Sequence, residues 1–200
     1  MLLNIEQQKQ LRQLLNAGAK VAGESLKTML DSNVSLSIPV ISAASSPTDN
    51  TLGLEKALAD IGMLYFSGDI SGRAFLLILQ DKADEMTTLL TGEAPDDAQF
   101  HETKKAMVSE VANIIVNGII GSMSNQLQKN IDFSPPHFSS ESPEVVYQQQ
   151  GISAEELALL ANIEFNVEEH NLEGKIIVVF DHQSFKSLMD AVDELSLEMI

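Results

Sequence analysis

The sequence predicts a mixed α/β fold of the α+β type, a single domain over residues 1–200 made of two related repeats, about 4–92 and 98–198. Three observations carry this expectation. Asn16 is followed after 22 residues by Pro39, and Asn113 after 22 residues by Pro136, with Gln13 and Glu110 each three residues before the Asn. Downstream, Ile70 to Ile78 leads into a helical pattern of Ala83, Met86, Leu89 and Leu90, and Leu172 to Phe180 leads into Phe185, Leu188, Ala191 and Val192. Hydrophobic spacing also switches between helical and strand periods in the same order in both halves. The two Asn lie 97 positions apart and Gly72 and Gly174 lie 102 apart, which places five extra residues between Pro136 and Gly174.

The elements follow in order. Asn4 with Gln7 three residues on is a capping box, and Leu11, Leu14, Leu15, Val21, Leu26, Met29 and Leu30 continue at helical spacing as far as Asp31. Val34 to Pro39 alternates apolar and polar like a half-buried strand, with the proline marking an edge or a bulge. Ser45 to Asn50 is turn chemistry, and Leu54 to Leu58 is a short helix. Met63 to Phe66 and Ala74 to Leu79 are strands joined through the turn from Ser67 to Gly72. That turn lacks the Gly-Lys-Ser/Thr of a phosphate loop. Lys82 to Thr91 is a helix stopped by Gly92, and Glu93 to Asp97 links the halves. In the second half a long helix runs from Phe100 to Leu127, and the Ser/Pro-rich stretch around Gln148 to Gln150 reads as loop.

Composition narrows the function. With 44% hydrophobic residues the chain can bury a sizeable core, and with no Cys it has neither a disulfide framework nor a thiol nucleophile. A net charge of −17 repels phosphate backbones and anionic bilayers, so no nucleic-acid partner is expected. The early residues turn polar at once, unlike a signal peptide, and apolar runs are too interrupted for membrane insertion. The expectation is a cytoplasmic protein. His101, His137, His170 and His182 are isolated from one another, which argues against a metal site.

The helix from Phe100 carries the chemistry. Val108, Val111, Ala112, Ile115, Ile119 and Met123 form the stripe that faces the sheet, while Ala106, Glu110, Asn113 and Asn117 form a polar stripe facing out. Gly118 and Gly121 each cost roughly 1 kcal/mol of helix propensity, which close approach to another backbone would offset.

Glu110, Asn113 and Pro136 at this spacing resemble the signature of the CheC/CheX/FliY family of chemotaxis phosphatases, and Phe66 to Ile78 is similar to a strand-turn-strand segment of CheC. The resemblance extends from about residue 8 to residue 195. It implies a CheC-like pseudo-two-fold sandwich, mainly antiparallel, with two long helices on one face. It also implies hydrolysis of the aspartyl phosphate of a CheY-like response regulator, Asn113 orienting the water and Glu110 docking on a lysine of the regulator. No cofactor of its own is implied; Mg2+ belongs to the response regulator. A CheD-like partner and a homodimer are both left open by the family's variety. The chemistry is reasonable, since phosphoryl transfer is catalysed mainly by positioning and charge stabilisation, and an uncharged carboxamide holds a water without repelling the phosphoryl group.

The sequence departs from the family pattern at three places. Its opening Asp or Ser is Ala106 in the second half and Lys9 in the first, and Gln13 stands where active copies have Glu. The candidate catalytic residues are therefore Glu110 and Asn113, with Gln13 and Asn16 a degenerate second site. The alternative is a non-catalytic binding module resembling FliM.

Overall fold

In the computed structural model, the residues described are 3–31, 33–38, 41–44, 58–152, 156–167 and 170–198. Pro39, the turn from Ser45 to Asn50 and all of the expected short helix except Leu58 lie outside them. The elements are α1 (Ile5–Leu30), β1 (Val34–Ser37), β2 (Ile41–Ala44), β3 (Ala59–Gly68), β4 (Gly72–Leu79), α2 (Gln80–Thr91), and α3 (Phe100–Val116). A π-helical turn (Asn117–Gly121) joins α3 to α4 (Ser122–Gln126) without interrupting the helix, and then come β5 (Ile131–Phe133), β6 (His137–Glu141), α5 (Pro143–Gln149), β7 (Leu157–Val167), β8 (His170–Phe180), and α6 (His182–Glu198). Asn4 caps α1 as expected, accepting from Gln7 N–H at 2.8 Å while Gln7 Oε1 accepts from Asn4 N–H at 3.2 Å.

Every strand pairing is antiparallel, and the path through the sheet is β1-β7-β8-β4-β3-β5, with β2 also on β7 and β6 also on β3. The halves are exchanged at the edges: β1 and β2 complete the hairpin of the second half, and β5 and β6 complete that of the first. Both edge lines are broken in the same way. Ser37 faces Glu164 and Ile41 faces Ala161, so four steps on one strand match three on the other. Phe133 faces Phe66 and His137 faces Met63, with the same surplus of one. Pro136 sits in this bulge, where a residue without an N–H loses no ladder bond. Ser134 bridges the gap, its hydroxyl accepting from Tyr65 N–H at 3.0 Å and its own N–H donating to Tyr65 O at 2.9 Å.

The ladders correct the glycine match. Phe66 pairs with Phe133 and Gly72, and Phe165 pairs with Leu36 and Leu172. Leu36 and Phe133 are equivalent in the repeat, so the counterpart of Gly72 is Leu172 and not Gly174. Sequence similarity had matched residues on the same face but two steps out of register, because a period-two pattern fits equally well at either place.

The main core lies between one face of the sheet and α1, α2, α3 with its π-turn, α4 and α6. All six residues of the expected inward stripe, Val108 to Met123, are buried. On α1 the periodicity was partly misleading. Val21 is 51% exposed, and Gly18, Ala19, Ala22 and Gly23 take the buried positions instead. The reason is a close helix crossing: a Cβ on Gly18 would meet Ile119 Cα at 2.5 Å, and one on Gly118 would meet Ala22 Cα at 2.9 Å. Gly118 thus has the backbone contact expected of it, whereas a Cβ on Gly121 would meet only Phe133 at 3.9 Å.

The opposite face of the sheet carries a smaller cluster, including Phe75, Leu77, Ile177 and Val179, covered by Val146 and Tyr147 of α5. Helix α5 overturns the loop expected around Gln148. Ser142 caps it and Pro143 opens it, a start signal outweighed by the glutamine run in the sequence reading. The helical segment Phe100–Gln126 is long enough and, at mean hydropathy 1.4, apolar enough to cross a membrane, but its apolar side is occupied by the sheet and α1.

A buried charge network ties α3 to the sheet and α2. Lys104 Nζ lies 3.0 Å from Asp60 Oδ2 and 2.8 Å from Asp84 Oδ1, and Asp60 also accepts from Ser140 Oγ. Desolvation lowers the Lys104 pKa, but the hydrogen bonds to Asp84 and Asp60 outweigh it and the net shift is upward. A raised folded pKa gives a stabilisation present in full below the ordinary lysine value and lost as pH climbs through the folded value. Asp60→Ala, which takes away the more buried of the lysine's two carboxylates and leaves it Asp84 alone, is expected to lower unfolding free energy by about 1–3 kcal/mol in urea titration. In the unmutated protein the network's contribution should persist across neutral pH and fade only in strong alkali.

Candidate active site on the second long helix

Helix α3 is pressed onto β3 at Gly62, where a Cβ would meet Ala112 Cβ at 2.2 Å. With Val108, Ala112 and Ile115 held inward, the polar stripe is forced out. Ala106 and Glu110 are exposed, and Asn113 and Asn117 are half-buried as the stripe nears α1. Glu110 and Asn113 stand on the same outer face, one turn apart. Asn117 Nδ2 donates to Asn113 Oδ1 at 2.7 Å and to Asn113 O at 2.8 Å. This contact is one the sequence reading missed; an Asn four residues after another on a helix was the available signal.

The two repeated asparagines are used differently. Asn16 Oδ1 accepts from Ile38 N–H at 3.1 Å, and its Nδ2 donates to Ile38 O at 3.2 Å and Arg12 O at 2.8 Å. Its carboxamide is therefore spent on the backbone of the edge line just past β1. In the second half the residue at the same distance is Pro135, which has no N–H to offer, and its carbonyl accepts from Ser134 Oγ at 2.9 Å. The same clasp cannot form at Asn113. Gln13 is exposed on α1, and Lys9 pairs with Glu6 at 3.6 Å on the surface.

The other sequence candidates are structural. The turn from Ser67 to Gly72 is clasped to the residue before β5: Asp69 N–H donates to Asn130 O at 3.0 Å and Asp69 Oδ2 accepts from Asn130 N–H at 2.8 Å. Among the described residues no group of His, Cys, Asp and Glu has the arrangement to hold a metal. A cavity of about 230 Å³ on the sheet, lined by Leu77, Leu79, Ile163, Glu164, Glu173 and Lys175 among others, includes no residue of the polar stripe.

The family model described as chemotaxis phosphatase CheX matches residues 61–155, a span that contains Glu110, Asn113 and Pro136 but neither Gln13 nor Asn16. A relative in Halobacterium salinarum, provisionally named as the CheY-P phosphatase CheC1, is 26% identical over 106 residues, 52% of this chain and 54% of its own. The chain thus matches about half the length of that relative. Among solved structures, Thermotoga maritima FliY superposes with a TM-score of 0.73 at 16% identity, covering 98% of this chain and all of that one. CheX from the CheX-CheY-BeF3-Mg2+ complex of Borrelia burgdorferi gives 0.50 at 17% identity, covering 82% and 96%. The H. pylori FliM middle domain gives 0.68 at 13%, covering 94% and 99%. The fold is the one these proteins share, and the two sequence matches, each over about half of the chain, are to chemotaxis proteins of the CheX and CheC kind.

The different duties of the two asparagines are open to a stability test. Asn16→Ala should cost about 1–2 kcal/mol, because it leaves part-buried backbone groups of Ile38 unpaired. Asn113→Ala should cost less, as no edge strand depends on it; paired urea titrations of the two variants decide the order.

Proposed function

We propose that the chain dephosphorylates the aspartyl phosphate of a CheY-like response regulator through one site, Glu110 and Asn113. The observation that carries this reading is the release of the Asn113 amide from the strand clasp that occupies Asn16, on an outward face one turn from an exposed carboxylate. A half-exposed carboxamide is available to a water in line with the leaving oxygen, and it adds no negative charge near the phosphoryl group. Glu110 provides the anion that a lysine beside the phosphorylated Asp attracts. The CheX family match over this segment and the CheX-CheY pairing named for the Borrelia complex support the choice of partner. Mg2+ is assigned to the response regulator, as part of the substrate.

The likeness to FliM middle domains favours a second reading, a binding module without turnover, since the same fold serves there. The pair Glu110 and Asn113 weighs toward the enzyme; Lys9, Gln13 and Ala106 weigh toward the module. A homodimer or a CheD-like partner would be compatible with either.

Decay of a phosphorylated receiver domain, followed against its spontaneous rate, separates them. Asn113→Ala should remove most of the acceleration while binding persists, and Asn16→Ala should leave activity nearly intact. Glu110→Gln should weaken binding by about 1.5–3 kcal/mol in calorimetry if the charged contact is desolvated. Equal loss from the two Asn variants would show two working sites; no acceleration by the unmutated protein across a panel of receiver domains would favour the binding module.

A further inference from the structure

We infer that Asn117 is a positioning residue that fixes which atom of the Asn113 carboxamide is presented to water. Its catalytic consequence rests on the phosphatase reading above, while its structural content rests on geometry alone. Asn117 reaches the main-chain carbonyl of Asn113 at 2.8 Å, and a carbonyl can only accept, so the Asn117 amide must turn its NH2 group there. The same nitrogen lies 2.7 Å from the Asn113 side chain. Two NH2 groups cannot bond to each other, so Asn113 must meet it with Oδ1. A main-chain atom therefore sets the orientation of the Asn117 amide, and through it that of Asn113.

The consequence is chemical. Oδ1 keeps one of its two lone pairs for a proton of the attacking water, and Nδ2 is turned away from Asn117. Without Asn117 the carboxamide can rotate by half a turn and offer a donor where an acceptor is needed. Asn117 also opens the π-turn, whose next residue, Gly118, is packed against Ala22, so the backbone beneath the pair is held by the helix crossing. Such turns recur at functional sites because they displace one side chain without breaking the helix. The first half is arranged differently: Lys20 stands 97 positions before Asn117 and is exposed, and Asn16 Oδ1 accepts from Ile38 N–H.

The test uses the full chain and a phosphorylated receiver domain. Asn117→Ala should lower kcat about tenfold with KM unchanged, because placement and not docking is lost. Asn117→Ser can bond the Asn113 carbonyl from one turn on but is too short to hold Oδ1 as well. It should therefore restore thermal stability without restoring kcat. In an Asn113→Ala background, Asn117→Ala should have no further effect on kcat. The side-chain amide signals of Asn113 in a 15N–1H spectrum should be a single sharp pair in the unmutated protein and broadened or doubled in both Asn117 variants. Full kcat in Asn117→Ser, or unchanged amide signals, would overturn the inference and leave Asn117 a helix-carbonyl partner only. If the unmutated protein accelerates no receiver domain, the phosphatase reading fails, and the amide signals still decide whether Asn117 orients Asn113.

Discussion

The contact on which the rest of the molecule depends is the backbone-to-backbone crossing of α1 and the π-turn after α3. No Cβ fits at Gly18 or at Gly118, so neither helix can slide or rotate without a clash. That crossing holds α1 over the sheet and fixes the end of the polar stripe where Asn113 and Asn117 meet. It also accounts for the composition of α1, whose buried face is carried by small residues where the helices touch and by leucines where α1 meets the rest of the core. Close packing of this kind trades helix propensity for van der Waals contact, and the interior contacts repay the loss.

Much of the fold and the site was legible in the sequence, for identifiable reasons. The stripe from Val108 to Met123 follows one period without interruption, and large apolar residues mark it clearly. The outward placement of the candidate residues Glu110 and Asn113 was legible because their helix face follows from the same period. What was hidden was hidden by chemistry that periodicity does not encode. Val21 fits the helical period but is exposed, because glycine and alanine had taken the buried face. Asp60 looks like a break in a strand, and only its ion pair with Lys104, 44 residues later, makes it tolerable inside one. The register of the second hairpin was misjudged because alternating sequences are similar to themselves two residues on.

The difference between the halves is one of hydrogen-bond partners. An asparagine side chain presents one donor group and one acceptor, which is what a backbone peptide unit also presents. Asn16 meets such a unit at Ile38 and is consumed by it. At the corresponding place in the second half a proline withholds the N–H, and the amide is left for other chemistry. The distinction between a structural and a candidate catalytic asparagine therefore lies in the residue 22 positions away, not in the asparagine or its helix.

The exchanged edges of the sheet bear on how the chain is made. Val34 finds its partner at Val167, and Ile41 at Ala161, so β1 and β2 leave the ribosome long before anything exists for them to pair with. Loop-closure entropy must be met before those distant ladders give anything back, which slows folding relative to a protein of local hairpins. In the interval the half-finished sheet has a bare edge along β4, since β8 covers it only later. A nascent chain of this design carries open strand edges through most of its synthesis, the condition under which chains pair with one another instead of with themselves.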